Sequence, residues 1–63
     1  MRVTLKAARI NKGLTQEDVA KAVNVTKKTV GSWEKGKTMP KSDKIELLCS
    51  LFGCSYDDIT WNI

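Results

Sequence analysis

Residues 15–35 read TQEDVAKAVNVTKKTVGSWEK. Within that stretch Val19, Ala20 and Val23 recur at the spacing that gathers apolar side chains on one helical face. Thr15 stands ahead of them and Asp18 follows three positions later. That is the spacing of a capping box, in which hydroxyl and carboxylate each accept a free backbone N–H of the first turn, although Asp replaces the usual Glu or Gln. Asn24 marks a stop, because asparagine tolerates the left-handed conformation next best to glycine. Val25 plugs the turn, and Thr26 can cap a following helix. There Val30 and Trp33 face inward, three residues apart, which leaves Lys27, Lys28, Thr29, Ser32 and Lys35 on other faces until Gly36 ends the run. The pattern predicts two short helices, at about 15–23 and 26–35, joined by a tight turn.

The same punctuation continues outward. Leu5, Ala8 and Arg9 share one face of a helix predicted at roughly 3–12 and stopped by Gly13, a glycine placed to form a left-handed cap. Pro40 disfavours a helical Met39, so Lys37-Thr38-Met39-Pro40 reads as a connection. Ile45, Leu48, Cys49 and Phe52 fall at i, i+3, i+4 and i+7 and predict a helix over 42–52, closed by Gly53. Ser55 and Asp58 repeat the capping-box spacing and open a last turn that points Ile59 inward. No period-two pattern survives, so the expected fold is all-α, a compact bundle of five short helices. Its expected core is Leu5, Val19, Ala20, Val23, Val30, Trp33, Ile45, Leu48, Phe52 and Ile59. Trp33, the largest apolar side chain of the stretch, belongs to the core by its spacing from Val30.

The chain has 63 residues. That length accommodates one small domain, expected over 1–63 with a short tail at 61–63, and no separate catalytic unit. With no His, neither a His-based triad nor a His-ligated metal site is available. Two Cys are too few for a four-ligand structural zinc site. Cys49 and Cys54 read as buried free thiols in a reducing compartment; the alternative is a disulfide closing a very small loop. There is no nucleophile–base pair or Gly-rich phosphate loop, so no enzyme, cofactor or small-molecule ligand is expected. No stretch of 18 apolar residues and no leader pattern is present, which points to the cytoplasm and away from a membrane.

The charge distribution indicates the partner. The net charge is +4, but residues 1–38 hold nine Lys/Arg against three Asp/Glu, whereas residues 39–63 hold two against four. Separation this sharp marks a polyanion-facing side, with nucleic acid ahead of membrane; the alternative is an ordinary solvated surface. Two helices joined by a tight turn are the helix-turn-helix arrangement, whose second helix enters the major groove N-terminus first. Here that end is Thr26-Lys27-Lys28-Thr29.

The stretch LTQEDVAKAVNVTKKTVGSWEKGKTMP, followed by LLCSLFGCSYDDI, resembles the Cro and lambda-repressor-like helix-turn-helix family over about residues 4 to 60. The residues that carry the likeness are Arg9, Gly13-Leu14-Thr15-Gln16, Val19-Ala20, Val25-Thr26, Trp33-Glu34-x-Gly36, Pro40, Leu48 and Gly53. The resemblance implies that Lys27, Lys28, Thr29 and Ser32 contact bases. It implies that Gln16, Thr15, Thr26, Lys35, Lys37 and Thr38 contact phosphate, with Gln16 also able to brace the second helix of the motif. Arg9 and Glu34 match a structural salt bridge. Gly31 departs from the family, which usually carries a larger polar residue there. The implied protein is a sequence-specific double-stranded DNA-binding transcription regulator, a phage- or prophage-type repressor acting as a homodimer on DNA. The alternative is a protein-interaction module of the same fold, such as an antitoxin, an anti-repressor or an accessory factor. Met39, Tyr56, Trp61 and Ile63 are the candidate protein contacts. Trp61 and Ile63 could instead fold back onto their own domain.

Overall fold

The computed structural model describes residues 2–61. Four α-helices carry the chain: α1 (Leu5–Asn11), α2 (Gln16–Val23), α3 (Lys27–Glu34) and α4 (Ser42–Phe52). A single 3₁₀ turn at Tyr56–Asp58 follows, in place of a fifth helix. Two short strands, β1 (Val3–Thr4) and β2 (Ile59–Thr60), pair in parallel, Val3 opposite Ile59 and Thr4 opposite Thr60. Strands of two residues are too short to show an alternation, so the sequence carries no trace of them. They also correct the first helix, which starts at Leu5 because Thr4, the last residue of β1, also caps it: its Oγ1 accepts from the Ala7 N–H at 3.1 Å.

The helix boundaries follow from local chemistry. Thr15 Oγ1 accepts from the Asp18 N–H at 3.0 Å, and Asp18 Oδ2 accepts from the Thr15 N–H at 2.9 Å, which closes the capping box that opens α2. Ser55 and Asp58 form a second box at the 3₁₀ turn. Asn24, at φ 60° and ψ 52°, ends α2 in the left-handed region. The Val25 N–H then reaches back to the Ala20 carbonyl at 2.9 Å. That bond turns the chain sharply from α2 into α3.

The buried apolar residues are Leu5, Ala8, Val19, Ala20, Val23, Val30, Trp33, Leu48, Phe52, Ile59 and Trp61. Nine of the ten predicted core residues are among them. The exception is Ile45, which is half-buried at the edge, as are Cys49 and Cys54. Both cysteines are free thiols. Ala8 and Trp61 are the additions: Trp61, only 5% exposed, folds back on its own domain, and this removes it as a surface contact. Its indole Nε1 donates to the Tyr56 carbonyl at 2.9 Å, and its ring stacks on Tyr56 at 5.7 Å between centroids. Ile63, the other tail residue considered as a contact, lies outside the described residues. Among the described residues no helix is long and apolar enough to cross a membrane.

Candidate nucleic-acid interface

Burial of Val30 and Trp33 in the core turns the opposite side of α3 outward. Gln16, Lys27, Lys28, Gly31, Ser32, Lys35 and Lys37 line one open groove there, of about 480 Å³. The sequence places these residues on three different elements, and three local devices bring them together. The first is the Asn24–Val25 turn, which folds α3 back against α2 so that Gln16, at the start of α2, meets the outward side of α3. The second is the end of α3, where the Lys37 N–H donates to the Ser32 carbonyl at 3.0 Å and returns Lys37 over the last turn. The third is Glu34.

Glu34 is the hub that fixes α3. Its Oε2 accepts from Arg9 Nε at 2.6 Å, and its Oε1 accepts from Arg9 Nη2 at 3.3 Å and from Gln16 Nε2 at 3.0 Å. Arg9 Nη1 donates to the Leu14 carbonyl at 2.9 Å. The pair is largely withdrawn from water, with side-chain exposures of 12% for Arg9 and 5% for Glu34. A single carboxylate therefore ties α1, the start of α2 and the end of α3. Arg9 is committed to this bridge. Gln16 uses one N–H on Glu34 and keeps its second N–H and its carbonyl oxygen for an outside partner.

The remaining predicted residues divide. Lys27, Lys28, Lys35 and Lys37 are exposed, and none forms an ion pair among the described residues. Groups so placed are free to meet an anion. Thr26 and Thr29 are engaged with each other. Thr26 Oγ1 accepts from the Thr29 N–H at 3.2 Å, and the two hydroxyls share a 2.9 Å hydrogen bond. That pairing leaves one hydroxyl hydrogen for an external acceptor. The Lys27 and Lys28 backbone N–H groups belong to the first turn of α3, where helix geometry provides no internal acceptor and the dipole favours an anion. Thr15 borders a neighbouring hollow with Arg9, Gln16 and Lys27. Thr38 is exposed and lines neither depression.

At Gly31 a Cβ would meet only Gln16 Nε2, at 3.9 Å, an ordinary contact. The chain itself therefore does not require glycine at the floor of the groove. A residue the sequence reading missed is Lys44. From α4 its Nζ donates to the Val23 carbonyl at 2.9 Å, at the C-terminal end of α2 and directly before the turn. A cation there meets the negative end of the α2 dipole and braces the turn that aims α3. The available signal was spacing: Lys44 sits one turn before Leu48, on the inward face of α4.

Two short helices crossed through a left-handed Asn24, with lysines gathered on the second, settle what kind of domain this is. This chain belongs to the helix-turn-helix family. Residues 5–59 match that family. Membership implies double-stranded DNA as the ligand. The chain is also similar to the HTH-type transcriptional activator BcrR of Enterococcus faecalis, with 29% identity over 55 residues. The match covers 87% of this chain and 27% of that protein, so the chain spans about a quarter of the relative's length.

Proposed function

We propose that this helix-turn-helix chain is a sequence-specific transcription regulator that seats α3 in the major groove of double-stranded DNA. The observation that carries the reading is the convergence of Gln16, four unpaired lysines and Ser32 on one groove. Lys27, Lys28 and Ser32 face base edges, with Thr29 beside them. Lysine donates to guanine O6 and N7, whereas serine reads several bases and discriminates less. Gln16, Thr15, Thr26, Lys35, Lys37 and Thr38 hold phosphates and set the register. The role is non-enzymatic and needs no cofactor. The protein works in the bacterial cytoplasm as a Cro-like phage or prophage repressor, excluding polymerase from an operator.

It binds as a homodimer on two half-sites about 34 Å apart. Met39 and Tyr56, both 49% exposed, share a hollow with Pro40 and Ile45 and supply the apolar contact between copies. The same exposed hollow is what favours a second reading, a protein-interaction module whose main partner docks there.

Selection of bound duplexes from a random pool at physiological salt tests the proposal. A two-fold-symmetric enriched motif supports a dimeric operator binder. An asymmetric motif removes the dimer, and no motif overturns sequence-specific binding and moves the search to protein partners of the Met39–Tyr56 hollow. A reporter driven from the selected operator then separates repression from activation, the activity named for the Enterococcus faecalis relative. Neutralising about six phosphates per dimer gives a slope near −5 for log affinity against log salt. Lys37→Ala is expected to weaken all sequences alike and to lower that slope by about 1. An unchanged slope removes Lys37 from the interface.

A further inference from the structure

The two cysteines are brought together by the way α4 ends. Gly53, at φ 67° and ψ 37°, takes the left-handed conformation, and its N–H returns to the Cys49 carbonyl. The Cys54 N–H reaches the same carbonyl at 3.1 Å. The Cys54 return is the six-residue bond of the Schellman ending, and contact between the side chains of the two residues it joins frequently accompanies that motif. Those side chains are Cys49 and Cys54. Both are free and half-buried at the edge of the core. Burial, followed by the neighbouring Cys54 thiol, pushes Cys49 above the ordinary thiol range. Cys49 therefore stays protonated at neutral pH.

Cys54, though not Cys49, also lines an open hollow of about 310 Å³ between α1 and the end of α4, together with the apolar Val3, Ala8 and Phe52 and the polar Asn11, Lys12 and Asp58. Among the described residues there is no cluster of three or more His, Cys, Asp or Glu side chains able to hold a metal ion. A tetrahedral metal that needs four protein ligands is poorly served. A ligand with two exchangeable positions and one fixed organic group fits both features: two sulfurs for the exchangeable positions, and the Val3, Ala8 and Phe52 side of the hollow for the organic group.

We infer that Cys49 and Cys54 form a two-sulfur clamp for a trivalent organoarsenical, RAs(OH)₂, whose substituent R occupies the hollow against Phe52. Two As–O bonds break and two As–S bonds form. Each departing hydroxide takes one thiol proton and leaves as water, and arsenic remains trivalent throughout, so no oxidant is required. The left-handed link at Gly53 makes the second As–S bond an intramolecular step.

The test uses the full chain with equimolar phenylarsine oxide, read by intact-mass spectrometry under a glutathione challenge and by thermal melting. The expected result is one 1:1 adduct, held against glutathione about a hundredfold longer than in Cys49→Ser or Cys54→Ser, the gain expected of a second bond made at high effective concentration. The adduct raises the melting temperature, as a ligand of the folded state must. Gly53→Ala keeps both thiols but strains the left-handed link, and most of the retention is expected to go. Equal retention in the single-cysteine variants overturns the clamp. A fall in melting temperature on binding shows that the arsenical takes the unfolded chain and overturns it as well. Retention in Gly53→Ala equal to the native chain removes the helix ending as its cause.

Discussion

The two ends of the molecule are fastened by different chemistry. Where α1, α2 and α3 meet, the fastening is polar: one withdrawn carboxylate, Glu34, accepts from Arg9 and Gln16. Where the segment before α1 meets the segment after the 3₁₀ turn, it is mainly apolar. There β1 pairs with β2, Ile59 is fully buried and Trp61 lies over Tyr56. Apolar burial is strong but non-directional, so it closes a core without fixing side-chain angles closely. A carboxylate shared between a guanidinium and an amide is directional, and it fixes where Gln16 and α3 point. The difference separates two tasks. The terminal clasp makes the domain stable, and the Glu34 hub makes its outward face a defined shape.

The largest expected effect comes from breaking the clasp. Trp61→Ala is expected to lose about 3–5 kcal/mol, the range for truncating a buried aromatic. That is a large part of what so small a domain has. Trp61→Phe keeps a ring and most of the fold, and its base preference in duplex selection is expected to match the native chain. An altered motif in Trp61→Phe would mean that the clasp also shapes the α3 face, and the division of tasks would fail.

The hub gives the second effect. Glu34→Ala strips Arg9 of its carboxylate in a site where the guanidinium is only 12% exposed. Removing one partner of a withdrawn pair costs about 3 kcal/mol at the lower end of the usual range. For a domain of this size that is on the order of 12–24 °C in melting temperature. Replacing both members, as Arg9→Met with Glu34→Met, restores much of the stability, because well-packed apolar pairs substitute for ion pairs. DNA affinity is expected to stay low in that double variant, since Gln16 has lost its anchor. Recovery of stability and affinity together would show that the hub contributes stability alone.

On the outward face itself, Lys28→Ala is expected to lose about 1–3 kcal/mol of operator binding and to relax preference at one base pair. The checking measurement is a binding titration against the operator and its single-base variants. Uniform weakening across all of them makes Lys28 a phosphate contact and assigns base reading to Lys27 and Ser32.

Most of the interior was legible from the chain, and the reasons are local. Val19, Ala20 and Val23 declare a helical face by spacing, and the Thr15–Asp18 box and Asn24 declare its two ends. The four lysines of the groove were legible as a charge imbalance, because exposed cations carry no competing packing role. What escaped was whatever depends on residues far apart in sequence. Val3 and Ile59 meet 56 positions apart through a ladder of two residues, too short to leave a period. Trp61 has no apolar neighbour at helical spacing to betray its burial. The Lys44 contact with the Val23 carbonyl depends on how α4 crosses α2, which neither helix encodes alone. The predicted fifth helix is instructive in the other direction. Its capping box is present, but β2 captures Ile59 and Thr60 before a second turn can form.

The smallest effect compares the two capping boxes, one at each region. Asp18 accepts from the Thr15 N–H beside the groove, and Asp58 accepts from the Ser55 N–H, and from its hydroxyl at 3.1 Å, beside the clasp. Backbone hydrogen bonds to the charged form hold both carboxyls below their ordinary value of 3.8, with the side-chain hydrogen bonds of Thr15 and Ser55 adding to it. A carboxyl with a depressed folded value binds its proton more readily in the unfolded chain. Its stabilisation is therefore fully present above about 3.8, and it is lost as pH falls from there through the folded value. Melting temperatures of the native chain and of Asp18→Asn and Asp58→Asn should differ by a constant amount from neutral pH to about pH 5, and converge below 3.8. Asp18 is exposed and Asp58 half-exposed, so both carboxyls are open to screening, and the separation is small and shrinks in high salt. A separation that persists at low pH would assign the loss to the altered amide geometry rather than to the charge. Convergence for Asp58→Asn alone would mean that the box opening α2 acts through shape, consistent with a face built for directional contacts.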